Sequence, residues 1–282
     1  MMNKIPTARE ISRQAIRNSI AVSDWERNWQ FSQNLIKKIN AHHTLKHPTI
    51  KAFSDGEVTF EQMSQFHLEF SYAVVQIFID AIIQAMSTAS QLETRLGLEA
   101  KSAARFLLQF NLLEELGFTP GIDTDGSFCG NYRFSHCIQY DETLSQLGVT
   151  PTALASYIPT TSSIACRAAF ESCYGDHVMM CAILAVGETL FHNLATPWAI
   201  GVSKVTDIDI TKGFHSIHVE DEIGQSIEDV HSEEGWMLFA QAVTPERYEE
   251  IQYKVDIWLT IWSSFLKDAI SEHSVSNFAL LN

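Results

Sequence analysis

The sequence predicts an all-α protein, a single-domain bundle of seven or more helices. Three observations carry that expectation. Apolar residues recur at spacings of three and four along almost the whole chain, and alternating strand patterns are scarce. Residues that start and stop helices punctuate those periodic stretches at short intervals, so neighbouring helices should run largely antiparallel. No internal repeat, low-complexity tract or linker divides the 282 residues, 46% of which are hydrophobic, so residues 1–282 read as one domain.

The elements follow in order. "DWERNWQFSQNLIKKINAH" sets Trp25, Trp29, Phe31, Leu35 and Ile36 at helical intervals. "TFEQMSQFHLEFSYAVVQIFIDAIIQAM" reads as one long, very apolar helix, and "SQLETRLGLEAKSAARFLLQFNLLEELG" as another, closed by Gly117. The Gly- and Asp-rich "FTPGIDTDGSFCGNY" is a loop. "SHCIQYDETLSQLGV" restarts a helix with Ser135 as N-cap, and Thr150-Pro151 opens a short one. Residues 162–204 read as a long helical stretch interrupted near Gly175 and bent near Pro197, and residues 212–241 as the next helix. In the last helix Tyr248, Ile251, Val255, Trp258, Trp262, Phe265 and Ile270 form one stripe behind Thr244-Pro245.

Composition excludes several functions. The formal charge is −15, with 34 acids against 19 bases, a surface that repels phosphate backbones, so no nucleic-acid partner is expected. Five cysteines (Cys129, Cys137, Cys166, Cys173 and Cys181) contain no CxxC pair and fit free thiols in a reducing cytoplasm. The first residues, "MMNKIPTAREISRQ", lack the apolar core of a leader. No apolar run reads as a membrane span, so a cytoplasmic location and no membrane partner are expected.

Chemistry has three candidate locations. "NLLEELG" places Glu114 and Glu115 in the last turn of a helix, where carboxylates oppose the helix dipole by about 0.3–1 kcal/mol unless a cation reverses the sign. The alternative is two solvated acids at a frayed end. Glu188, in "CAILAVGETLFHNLATPW", lies in an otherwise apolar run with His192 one turn later, so it is either a ligand or a buried acid with a simple partner. In "FHSIHVEDEIGQ", His218 and Glu222 are spaced to meet one ion from one helix, with His215 nearby and able to face outward; the same spacing occurs on solvated faces.

Together, "NLLEELG", "SHCIQYDETLSQLGVTP", "GETLF" and "FHSIHVEDEIGQ" follow the order of the heme-oxygenase-like di-iron oxidases and oxygenases, and the chain resembles that family, including its CADD-like proteins, over roughly residues 60–270. The family's pattern is a Glu before Leu-Gly, a His opening the next helix, a mid-chain Glu and a later His-x3-Asp-x2-His. The resemblance implies metal ligation by Glu115, His136, Glu188, His218 and Glu222. An earlier carboxylate should join them, Asp80 first and Glu69 second. Glu222 stands where Asp is usual. Gln225 stands where the last His is usual, and an amide is a much poorer ligand for iron, which puts the second ion in doubt. The loop between Glu115 and His136 is longer than the family's.

The resemblance implies iron, one or two ions per chain. It also implies dioxygen and a small-molecule substrate as partners, and a heme-oxygenase-like fold. A homodimer is expected through exposed aromatics of the last helix. Two other readings stay open. One is a metal-impaired relative acting as a binding or interaction protein. The other is a thiaminase-like hydrolase using Cys166 or Cys173. Heme ligation by His42, His43 or His67 is not favoured, since each reads as a surface or core histidine.

Overall fold

The computed structural model describes residues 6–118, 130–218 and 227–271. Among these residues the regular structure is all helical, without a strand; one isolated bridge joins Phe118 to Gly130. The α-helices are α1 (Ala8–Asn18), α2 (Val22–Ala41), α3 (Pro48–Asp55), α4 (Phe60–Phe70), α5 (Gln76–Thr88), α6 (Ser90–Glu115) and α7 (His136–Gln146). They continue as α8 (Pro151–Ser156), α9 (Thr161–Glu171), α10 (His177–Val205), α11 (Gly213–His218), α12 (Ile227–Ala242) and α13 (Tyr248–Asp268).

Local chemistry explains the boundaries. Thr7 with Glu10, and Thr59 with Gln62, form reciprocal capping boxes at α1 and α4. Thr150 accepts from Ala153 N–H, with Pro151 in the first turn of α8, as the sequence led us to expect. Asp176 caps α10 just after Gly175, whose φ of 86° marks the interruption. Ser135 sits at the N-cap of α7, but its hydroxyl makes no capping bond and instead lies 3.3 Å from Cys137 Sγ.

Two of the long helical stretches differ from expectation, while the one that holds Pro197 does not. The stretch read as one regular helix over α4 and α5 contains a π-helical turn, Ser71–Val75, with Gln76 N–H bonded to Ser71 O. α6 breaks at Gly97, whose φ of 85° is available to glycine at little cost. Pro197 lies inside α10, which continues to Val205.

α10 is the axis of the bundle. It is apolar all round and buried by α3, α4, α5, α12, α13 and α2, as its composition requires. Both α10 and the segment Phe60–Thr88 are long and apolar enough to cross a membrane, which the sequence reading had not found. Yet 72% and 56% of their most apolar windows are buried against the rest of the chain, so both serve as core helices of this bundle. The stripe on α13 is likewise interior: Ile251, Val255, Trp258, Trp262 and Phe265 are buried, and Tyr253 is its exposed aromatic, at 66%. That removes most of the aromatic surface expected to join two copies.

Candidate functional site

Two pieces of local geometry assemble a cluster of acids and imidazoles. The first is the end of α6. Gly117 has a φ of 91°, and Phe118 N–H returns to Leu113 O at 3.0 Å, closing the helix in a Schellman-type turn. A Cβ at Gly117 would stand 2.5 Å from Asn131 O and 2.6 Å from Ser135 N, so the incoming chain packs on bare backbone. Asn131 N–H also bonds Gly117 O at 3.0 Å. α7 therefore begins beside the end of α6, and His136 Nδ1 stands 3.0 Å from Glu115 Oε2.

The second is the crossing of α10 and α12. A Cβ at Gly235 would lie 3.2 Å from both Cα and Cβ of Ala185, so the two backbones approach closely. Thr189 Oγ1 meets Ser232 Oγ at 3.1 Å and accepts from Trp236 Nε1 at 3.0 Å. These pairings fix an antiparallel register. The same register sets Glu188 opposite His231, with Nδ1 to Oε1 at 3.9 Å. Asn111 Nδ2 donates to Glu188 Oε1 at 3.3 Å.

The two pieces face one cavity. Glu115, His136, Glu188, His218 and His231 line it, and aromatic and aliphatic side chains complete the wall. His218 closes α11 with its ring perpendicular to that of His136, centroids 4.9 Å apart. The cavity is slender: the space open to the centre of a water molecule is about 60 Å³, several waters' worth.

Four of the residues predicted from the sequence thus come together: Glu115, His136, Glu188 and His218. Glu222 and Gln225 lie outside the described residues, as does the centre of the loop after Phe118. Asp80 is not brought in; it is exposed on the outer face of α5. Glu69 is fully buried but belongs to a separate network, accepting from Thr160 N–H at 3.1 Å, Thr160 Oγ1 at 3.0 Å, and the hydroxyls of Tyr157 and Ser163. His192 turns to a different groove, lined also by Trp29 and Asn193. His215 is buried rather than outward, with its Nε2 3.2 Å from that of His67. His67 Nδ1–H donates to Met63 O at 2.7 Å, so its Nε2 accepts and His215 Nε2–H donates. His67 is a core histidine with both nitrogens engaged.

Sequence reasoning missed His231 and the arginine that stands behind its partner Glu114. His231 is buried at the cavity, and its Nε2–H donates to Glu114 Oε2 at 2.7 Å. Glu114 is held from its other side by Arg9, at 2.9 Å, and Arg9 also reaches Glu234 at 3.1 Å. Among the described residues, no group of three or more His, Cys, Asp or Glu side chains is arranged ready to hold an ion. Acids and imidazoles meet here in Glu115 with His136 at 3.0 Å and Glu114 with His231 at 2.7 Å, with Glu188 3.9 Å from His231.

No known protein family and no curated protein matches this chain. Its chemistry must therefore be argued from the donors themselves. Burial pushes the Glu115 carboxyl up, but the rings of His136, His218 and His231 outweigh it and hold the group below its usual range. Glu114 is likewise pushed up by burial and brought below its usual range by His231 and Arg9. His231 would be lowered by burial alone; its bond to Glu114 and the carboxylates of Glu188 and Glu115 raise it to about 9. The cavity therefore gathers the ionised Glu115 carboxylate, the Glu188 carboxyl group and three imidazoles from facing helices. Oxygen and nitrogen donors in this combination suit iron or a similar first-row ion. Of the two thiols considered as nucleophiles, burial pushes Cys166 up to about 12 and Cys173 up to about 11, which disfavours the thiolate of each. Cys137 lines the cavity, with the Ser135 hydroxyl beside it rather than a base.

Proposed function

We propose that this chain is a non-heme iron-dependent oxidoreductase that activates dioxygen on a small organic substrate, of the heme-oxygenase-like di-iron kind its sequence resembles. One observation carries the reading. Four side chains chosen by sequence order alone, from the ends or interiors of four helices, line a single buried cavity. Charged groups inside an apolar bundle cost roughly several kcal/mol each unless compensated, and an ion shared among these donors would compensate them together. Iron held by Glu115, His136, Glu188 and His218, with Glu222, would supply the one-electron chemistry that dioxygen requires.

The chain's own residues supply the rest. Phe70, Val74, Phe78, Phe170, Phe191 and Trp262 form an apolar wall that excludes water and receives the apolar part of a substrate. The ionised Glu115 carboxylate and the His136 ring beside it present donors at one end. Glu188 presents another from the central helix, where packing on all sides fixes its backbone.

The competing reading is a protein that keeps the fold and binds a partner without metal. Gln225 and the absence of a preassembled three-residue donor set among the described residues favour it. Loading the metal-free protein with ferrous iron under anaerobic conditions separates the two. About two ions per chain, lost in Glu188→Ala and Glu188→Gln, supports the enzyme. A count near zero, the same in wild type and variants, supports the partner-binding reading. Stoichiometric oxygen uptake by the loaded protein then tests the redox step directly.

A further inference from the structure

We infer that His231 is a further metal ligand, binding through Nδ1, and that Glu114 with Arg9 forms the outer pair that fixes its ring. The inference rests on the iron reading above and adds a residue that the sequence pattern does not contain.

An imidazole has two nitrogens, and a ligating histidine uses one for the metal while the other N–H is held by a carboxylate or carbonyl. His231 has this arrangement, and an ion binding at Nδ1 would take the place of the proton that nitrogen otherwise carries, which is released to solvent. Nε2–H is committed to Glu114 at 2.7 Å, which turns Nδ1 toward the cavity and Glu188. The 3.9 Å from Nδ1 to Glu188 Oε1 is too long for a hydrogen bond. It falls within the separation, about 3.0–4.2 Å, of two donors sharing one ion at bond lengths of about 2.1 Å.

Glu114 is equipped for the supporting role and not for ligation. It does not line the cavity, and its two oxygens are taken by His231 and Arg9. Arg9 is fixed in turn by Glu234 and lies over the Phe110 ring, 4.8 Å from its centroid. The chain thus carries a carboxylate–imidazole pair pointing at Glu188 and a cationic clamp behind it. The sequence lacks an imidazole at Gln225; α12 delivers one from the next described helix.

The test uses the full chain, metal-free, titrated with Mn²⁺ or anaerobic Fe²⁺, with the bound ion counted and its affinity measured. Wild type is compared with Glu188→Gln, His231→Gln and Glu114→Gln. We expect His231→Gln to lose one ion or to bind it at least about tenfold more weakly, and Glu114→Gln to weaken binding by about 10–100-fold while keeping the count at high metal. A second readout needs no His231 variant to fold. In the Co²⁺-loaded protein carrying ¹⁵N-histidine, a ring N–H held by Glu114 should give a hyperfine-shifted signal protected from exchange. Glu114→Gln should make that signal labile.

If wild type binds no ion, the iron reading falls and this inference with it. If wild type binds and Glu188→Gln weakens binding, while His231→Gln keeps count and affinity, His231 is not a ligand and the iron reading stands. A lowered melting temperature in His231→Gln with unchanged metal affinity would likewise overturn the inference, leaving a structural ion pair.

Discussion

Replacing Gly117 by alanine should damage this protein far more than the same change at Gly148, although both glycines end helices with positive φ, 91° and 80°. Each substitution forces an L residue into the left-handed region, at about 1–2 kcal/mol. At Gly148 that is the whole effect, because a new Cβ meets nothing within 4 Å. At Gly117 the Cβ would also press on Asn131 O at 2.5 Å, Ser135 N at 2.6 Å and Phe134 C at 2.7 Å. All three are backbone atoms and cannot rotate away. Overpacking of this kind adds about 1–3 kcal/mol. The expected losses are therefore about 2–5 kcal/mol for Gly117→Ala and about 1–2 for Gly148→Ala, read from urea unfolding at constant slope. The strain has one relief, withdrawal of residues 130–136 from α6, which carries His136 away from Glu115. Gly117→Ala should accordingly weaken metal binding as well, and Gly148→Ala should not. Equal stability losses in the two variants would refute the claim that close backbone approach at Gly117 assembles this side of the site.

Three further predictions concern the buried polar groups of the bundle and the buried histidines, His231 included. Glu69→Ala leaves the hydroxyls of Tyr157, Thr160 and Ser163 and the Thr160 N–H facing an empty space, and should cost about 3–5 kcal/mol by denaturant unfolding; a loss under about 1 kcal/mol would show the network is incidental. Asn28→Ala removes donors to Ala240 O and Val243 O, both at 2.8 Å, where α12 ends, and should cost about 2–3 kcal/mol without altering metal binding. In the metal-free protein, burial lowers His67 and His177 to about 4. Their folded values lie below the unfolded 6.5, so the stability they contribute is present above pH 6.5 and lost as pH falls toward 4, roughly 3 kcal/mol each. His231 has the opposite sign: raised to about 9, it contributes fully below pH 6.5 and loses its contribution as pH rises through 9. Unfolding curves from pH 4 to 10 should therefore show a maximum near neutrality, with the alkaline limb flattened in His231→Gln.

Much of this was legible in the sequence, and the failures have physical causes. Helical periodicity located the longer elements, because each helix must bury an apolar face, but it passed over α1 and the short α3. Glu188 was legible because an acid in an apolar run needs a partner. Asp80 misled for a related reason. The solvent face of α5 runs Gln76, Asp80, Ile83 and Ser87, and Ile83, 46% exposed, disguised that outer stripe as interior. His231 was hidden for the opposite reason. Its neighbours in "DVHSEEGW" read as a solvated face, but Glu234 is buried because Arg9 and Arg13, more than two hundred positions earlier, cover it. No local pattern reveals a partner that distant. Glu114 and Glu115 were recognised as a pair, yet adjacent helical residues point about 100° apart, and only tertiary packing assigns one to His231 and the other to His136.

The π-helical turn at Ser71–Val75 has a consequence for how this fold tolerates change in chain length. Such a turn is one residue more than an α-helix needs, so the surplus is held in the widened loop of backbone without rotating the segments on either side. A variant shortened by one residue there should heal into a continuous α-helix, keeping Glu69 against Thr160 and the outer stripe of α5 toward solvent. Only the wall formed by Val74 and Val75 would be redrawn. The shape of the chamber is in this way separable from the architecture that encloses it.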